Sequence, residues 1–403
     1  MLKRELKSFD WLMLVLVCAV CIFGIVLIRS ATMGHPLVPI QRLHILQMRW
    51  FGTGLILLLL ASLIDYHFIC KFFIVFYIIN YVLLLMIAVL NMAAPDAFRW
   101  LMIIGDRGIQ PSEFTKIFMI VCLSKFIVIM EEKGKSVNNI WVLLFIMANV
   151  GLSFYLVMVQ PSLSASIVIV VVAFCILFAA KLSYKYIVPA LAVIIPATFL
   201  FIQDVLRRPD FLFVDRILRN EYQRNRIYTW LNPDITDDLY FQTMRSIQTI
   251  SSGELTGHGL FAGPLTGRAF VPYAYNDFIF SALGEQFGFI GSVALLAAML
   301  IIIAKCILAA YKSVDHLGSL LAVGVASMLA FQVFVNVGVA TGYLINTGMP
   351  FPFVSYGGSS LWVCMIGIGI VINVSMTKQK SLFESTEERR DKKELNSGVF
   401  LVK

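Results

Sequence analysis

Apolar runs of roughly 20 residues recur along the chain, separated by polar stretches that are mostly short. Ten can be drawn, at residues 10–30, 48–66, 69–92, 112–131, 139–159, 162–180, 186–206, 276–310, 316–345 and 358–377. A helix that crosses a bilayer needs about 20 mainly apolar residues. The pattern therefore predicts an all-α polytopic membrane protein with ten transmembrane helices. The first run is too long, and followed by too many others, to be a cleaved signal peptide. One polar gap exceeds the rest, residues 207–275, between the seventh and eighth runs. It alternates amphipathic stretches (RILRNEYQRNRIYTWL) with a Gly-rich run (SSGELTGHGLFAGPLTG). Its aromatics, with Pro233, Pro264 and Pro272, predict an ordered lid or re-entrant structure at the membrane surface. Residues 1–377 then form one integral domain, and residues 378–403 a charged, flexible tail.

Composition agrees, with 59% hydrophobic and only 14% charged residues. Charge then orients the bundle. Lys3, Arg4 and Lys7, the pairs Lys133/Lys135, Lys181/Lys185 and Lys305/Lys312, and Lys378 and Lys380 all fall on one side. The positive-inside rule makes that side cytoplasmic, with both termini, and puts the long gap outside. The net charge of +8 therefore reports topology rather than nucleic-acid binding. Arginine and lysine are also segregated. Of sixteen lysines only Lys116 falls off the inner side, whereas thirteen of sixteen arginines fall outside. Eight of these, Arg207, Arg208, Arg216, Arg219, Arg224, Arg226, Arg245 and Arg268, share one stretch without a lysine. Arginine grips phosphate and carboxylate with a planar fork, while lysine is a hydrated point charge. An anionic, phosphate-bearing ligand at the outer leaflet explains the bias. Local pairing with Asp204, Asp210, Asp215 and Glu221 is the other explanation. No cysteine falls in an outer loop, so no structural disulfide is expected. Cys18 and Cys21, without a second such pair, do not make a metal site.

Polar residues inside the apolar runs narrow the search. Pro111 suits a first helical turn, and Glu113 and Lys116, three apart, share a face and can pair. Ionisable groups at that depth usually face the bundle interior and mark function, although an ion pair that only pins helices has the same spacing. In the run that starts near Tyr275, Ser281, Gly284, Gly288, Gly291 and Ser292 fall within about 60° of Asp277 at ~100° per residue. Such a small-residue seam marks close helix packing. Asp277 then points into the protein, unless it merely caps its helix. Glu285 lies on the edge of the seam. Gln332 and Asn336, four apart, read as interhelical hydrogen bonders without chemistry. No charged residue occurs from Leu317 to Thr377, yet Asn346–Ser360 contains two prolines and three glycines. Irregular backbone at membrane depth is tolerated where it is buried or lines a cavity, so this segment is expected to line an outer pocket.

Together these residues resemble the SEDS family (shape, elongation, division and sporulation) of RodA/FtsW/SpoVE-type cell-wall proteins. The resemblance covers nearly the whole membrane domain. It rests on Asp10-Trp11, Ser30-Ala31-Thr32, Arg99-Trp100, QPSEFTK at 110–116, Gln160-Pro161, RIYTWLNP at 226–233, Phe241-Gln242 and Gly257-His258-Gly259. Its most specific parts are DFIFSALGEQFGFIG at 277–291 and TGMPFPFVSYGGSSL at 347–361. It implies ten transmembrane helices and polymerisation of lipid II, an undecaprenyl-pyrophosphate-linked disaccharide-pentapeptide. It also implies a class B penicillin-binding protein as partner. The family's essential outer-face aspartate maps onto Asp277. The chain departs from the usual pattern near the presumed site. Ser162-Leu163-Ser164 stands where relatives read DLG. Pro272-Tyr273-Ala274-Tyr275-Asn276-Asp277-Phe278 stands for PEAHTDF, Ser252-Gly253 for a double glycine, and Gly284-Glu285-Gln286 for GEE. A divergent member with altered specificity or reduced activity is the expected consequence.

The mechanism this implies is an inverting glycosyl transfer, with Asp277 as general base on the acceptor 4-hydroxyl. Arg226, Lys116 and Arg99 are the cations set against the pyrophosphate. Glu113, Glu285, Ser355, Tyr356 and Gly357 complete the candidate substrate-binding set. Whether a divalent cation takes part is left open. Two rival readings share these features: a lipid II flippase, since broken helices and buried polar groups also suit transporters, and a weakly active scaffold for the penicillin-binding partner.

Overall fold

The computed structural model describes residues 9–93, 101–104, 107–160, 162–207, 226, 230 and 238–396. The long helices are α1 (Trp11–Thr32), α2 (Leu43–Leu63), α3 (Phe73–Ala93), α4 (Pro111–Glu132), α5 (Ile140–Val159), α6 (Leu163–Ala179), α7 (Tyr184–Arg207), α8 (Asp238–Ser252), α9 (Ile279–Lys312), α10 (His316–Ala340) and α11 (Gly358–Asn396). Among the described residues seven helices are long and apolar enough to cross a membrane: α1, α2, α3, α5, α9, α10 and the 358–377 part of α11. The runs in α6 and α7 are shorter, and α4 carries Glu113, Lys116, Lys125, Glu131 and Glu132.

Local chemistry sets the helix starts. The Asp10 carboxylate accepts from Met13 N at 3.0 Å, and Asn139 and Asp315 do the same for α5 and α10. Asp10 also receives Lys305 Nζ at 2.6 Å, joining α1 to α9. Lipid gives helices no hydrophobic reason to associate, so close packing and polar contacts hold the bundle. At Gly369 of α11 a Cβ would lie 2.5 Å from the Leu58 carbonyl of α2, so these helices touch backbone to backbone. Large apolar side chains such as Trp141, Val193, Leu300 and Phe334 point outward, while Gln332 and Asn336 are fully buried. That inside-out distribution is the one a lipid-facing surface requires.

Four departures from the sequence reading matter. The fold is all-helical apart from one short hairpin, in which β1 (Leu101–Ile104) and β2 (Arg107–Ile109) run antiparallel and pair Leu101 with Ile109. β-branched isoleucines suit such a pairing. The long polar gap contains a 15-residue amphipathic helix, α8. The tail continues α11 as helix as far as Asn396; its sequence is rich in strong helix formers.

The fourth departure shapes the site. α9 begins at Ile279, not near Tyr275, and breaks at Gly288 (φ 61°, ψ −160°). A Cβ on Gly288 would sit 2.5 Å from Gly257 N, so both the conformation and the space demand glycine. The helical ladder is redirected into the Glu254–Gly259 segment. His258 N and Gly259 N donate to the carbonyls of Glu285 and Gln286, while Phe289 N and Ile290 N donate to those of Glu254 and Leu255. A short half-helix, 279–287, is thereby separated from the long membrane-crossing part.

Candidate functional site

A polar cavity of about 400 Å³ lies where α4 and α6 begin and where the segments before α9 and after α10 meet. Glu113 and Lys116 reach it from the first turns of α4, Ser162, Ser164 and Ala165 from the start of α6, and Gln242 from α8. Tyr273, Asn276 and Asp277 come from the turn before α9, and Asn346, Thr347, Gly348, Met349 and Pro350 from the irregular segment after α10. Gln110 and Arg226 complete the wall.

The charged groups are close and largely withdrawn from solvent. Lys116 Nζ donates to Glu113 Oε2 at 2.7 Å, with the side chains 1% and 7% exposed. Arg226 is buried, and its Nη1 donates to the Asn346 carbonyl at 2.6 Å. Gly348 (φ +70°) lies beside both charged groups: a Cβ there would fall 3.2 Å from Asp277 Oδ2 and 3.5 Å from Arg226 Nη1. Its bare α-carbon lets a carboxylate and a guanidinium approach the same few cubic ångströms of cavity. The N-cap residue of α9 is Phe278, whose side chain offers no cap, and Asp277, one residue before it, lines the cavity. Beside it, burial and then the neighbouring Tyr273 and Asp277 push the Tyr275 phenol above its usual range.

Of the residues singled out from sequence, Asp277, Glu113, Lys116 and Arg226 meet in this cavity. Arg99 lies outside the described residues. Glu285 does not line the cavity; its fully buried carboxylate accepts from Leu265 N (2.7 Å), Thr266 N (2.8 Å) and the Thr266 hydroxyl. It latches the Gly263–Thr266 loop onto the half-helix. Ser355, Tyr356 and Gly357 also stand behind the wall rather than in it. Ser355 Oγ donates to the Asn276 carbonyl (2.6 Å) and accepts from Phe351 N (2.8 Å). Tyr356 N donates to the Tyr275 carbonyl (2.9 Å), and its ring packs on Tyr275 and Trp50. Gly357 N donates to Gln47 of α2.

The arginine bias divides in the same way. Arg226 faces the cavity, but the Arg245 guanidinium lies 3.9 Å over the Phe241 ring and 4.8 Å over Phe270, and Nη1 donates to the Phe270 carbonyl. Arg245 is a packing residue, and Arg268 is exposed. The side chain of Arg207 and all of Arg208, Arg216, Arg219 and Arg224 lie outside the described residues. Sequence reasoning gave Gln242 only as part of a family motif, and Asn346 and Thr347 only as part of a wall segment, without a role for any of them. Four wall positions, Ser162, Ser164, Tyr273 and Asn276, are among those at which the chain departs from the family pattern, and that departure was the available signal.

Similarity to known proteins follows the same architecture. The family model FtsW/RodA/SpoVE, described as cell cycle protein, matches residues 10–380. The chain is 30% identical over 383 residues to the peptidoglycan glycosyltransferase MrdB of Escherichia coli, covering 93% of this chain and 95% of that one. It is 29% identical over 384 residues to a probable peptidoglycan glycosyltransferase FtsW of Geobacter metallireducens, covering 92% and 96%. A solved chain from a peptidoglycan synthase complex, described in terms of polymerisation and crosslinking, superposes with a TM-score of 0.72 at 26% identity, covering 92% of this chain and 98% of that one. This multi-pass membrane protein belongs to the SEDS family, the FtsW/RodA/SpoVE group of cell cycle proteins.

Proposed function

We propose that the chain is a peptidoglycan glycosyltransferase that polymerises lipid II at the outer face of the bacterial cytoplasmic membrane, with the 400 Å³ cavity as its active site. In this reading ten helices cross the bilayer: the seven apolar ones together with α4, α6 and α7. Both termini are cytoplasmic, the 207–275 region is outside, and residues 1–377 form the membrane domain. The convergence of Asp277, Arg226, Glu113 and Lys116 in one buried cavity carries the proposal.

The chemistry follows from those side chains. Asp277 takes the proton of the acceptor 4-hydroxyl, whose oxygen attacks the anomeric carbon of the donor sugar. The bond from that carbon to the pyrophosphate oxygen breaks with inversion, and the lipid pyrophosphate leaves. Negative charge developing on the leaving group is met by Arg226 and Lys116, whose side chains are largely buried and so held ready for it. Arg99 remains a proposed third cation. Among the described residues no three His, Cys, Asp or Glu side chains are placed to hold a metal ion. In the cavity Glu113 is already committed to Lys116. The described residues of the cavity thus show no ready-made set of ligands for a divalent cation.

The solved relative's membership of a peptidoglycan synthase complex supports a class B penicillin-binding protein as partner. A second reading, a weakly active scaffold for that partner, is favoured by Ser162 and Tyr273 standing in the wall where relatives carry acids. Purified protein in detergent, given lipid II with and without the partner, decides. Glycan strands formed without a membrane barrier support the polymerase and exclude a pure flippase. Strands absent under both conditions would overturn the proposal.

A further inference from the structure

Three consecutive carbonyls ahead of α9 are each taken up by a different donor. The Tyr275 carbonyl accepts from Tyr356 N (2.9 Å), that of Asn276 from Ser355 Oγ (2.6 Å) and that of Asp277 from Asn336 Nδ2 (2.9 Å). Asn336 differs from the other two. It stands on α10, is fully buried, and its one amide nitrogen donates a second bond, to the Met349 carbonyl at 2.7 Å. Met349 directly follows Gly348, where an added Cβ would meet the Asp277 carboxylate at 3.2 Å. A single planar amide therefore sets the separation between the segment that carries Asp277 and the segment that walls it. Two N–H groups on one nitrogen diverge at a fixed angle, and the helix beneath them is rigid.

We infer that Asn336 is a positioning residue for Asp277, acting through backbone carbonyls and touching no substrate. The inference rests on the reading of Asp277 as the general base. Sequence spacing had made Asn336 an interhelical hydrogen bonder, but its partners are the two irregular segments at the site rather than a neighbouring helix. Losing it leaves the Asp277 and Met349 carbonyls without this donor, which frees both segments to shift. A misplacement of about 1 Å at a catalytic group costs on the order of 100-fold in rate. The binding groups Arg226 and Lys116 are held by other contacts, so substrate affinity is expected to stay.

The test compares Asn336→Leu, Asn336→Asp and Gln332→Leu in lipid II polymerisation, alongside thermal stability of each purified protein. Asn336→Asp keeps the shape and loses the donors, so it serves if Asn336→Leu fails to fold. Gln332 is equally buried one turn away and contacts Cys364 instead of the site; its variant controls for loss of any buried amide in α10. The expected result is a kcat lowered on the order of 100-fold with KM within about twofold, while Gln332→Leu keeps wild-type turnover. A folded Asn336→Asp protein with wild-type kcat, a loss confined to KM, or an equal loss in Gln332→Leu would overturn the inference. Asp277→Asn run in parallel keeps the two readings apart. If it is fully active, the general-base reading has failed, whereas an inactive Asp277→Asn beside an active Asn336→Asp sinks the positioning role alone.

Discussion

Removing Lys116 takes away the ion-pair partner of a buried carboxylate. In the structure Lys116 Nζ lies 2.7 Å from Glu113 Oε2, and neither side chain is more than 7% exposed. Breaking such a pair from one side costs about 3–5 kcal/mol, because the remaining charge keeps its desolvation penalty. Glu113 borders the polar cavity, where water reaches it, so Lys116→Met is expected at the low end, about 3 kcal/mol. At about 1.4 kcal/mol per decade that is roughly a hundredfold in the folded-to-unfolded ratio. Glu113→Gln/Lys116→Met removes both charges and should recover most of the loss. Activity separates from stability at this point. If Lys116 meets the pyrophosphate, the double variant folds like wild type yet polymerises lipid II at least tenfold more slowly. Thermal unfolding of the single and double variants, with turnover measured on the same preparations, gives both quantities. A double variant with wild-type stability and wild-type turnover would show that the pair only pins α4 and would refute its role in binding.

Two further outcomes follow from the same contacts. Arg226→Lys keeps the charge but loses the planar fork, so it should lower lipid II turnover nearly as much as Arg226→Ala at every salt concentration; a defect that fades or vanishes across the series would reduce Arg226 to general positive potential, screened within about 8 Å at physiological ionic strength. Glu285→Gln replaces an acceptor of three hydrogen bonds with an amide that sets N–H against N–H, which should cost about 1.5–3 kcal/mol of thermal stability while a refolded, active fraction keeps a normal KM; a raised KM with unchanged stability would instead return Glu285 to the substrate-binding set.

The apolar runs made the helices legible because their period and length report lipid contact directly, and helix boundaries from α1 to α7 mostly moved by a few residues. The pairing of Glu113 with Lys116 was legible for the same reason, since three residues of helix fix the geometry. Asp277 was harder. Its seam of small residues is real sequence pattern, but the helix it was measured on starts only at Ile279, two residues past Asp277, and breaks at Gly288, where the outer segment takes over four backbone hydrogen bonds. Such tertiary splicing leaves no periodic trace. Glu285, Ser355 and Tyr356 show a related limit. A motif identifies residues that a site needs, yet it does not distinguish those that face the cavity from those that hold its wall. Asn336 lies at the other extreme: an uncharged amide within an apolar helix carries no local signal of the two carbonyls it joins.

The most direct test of the central claim is lipid II polymerisation by purified Asp277→Asn protein, with its thermal unfolding and expression checked against wild type. The exchange keeps shape and removes the base, so the account predicts a normally folded protein that forms no glycan strands. A normally folded Asp277→Asn protein that polymerises lipid II at the wild-type rate would contradict it.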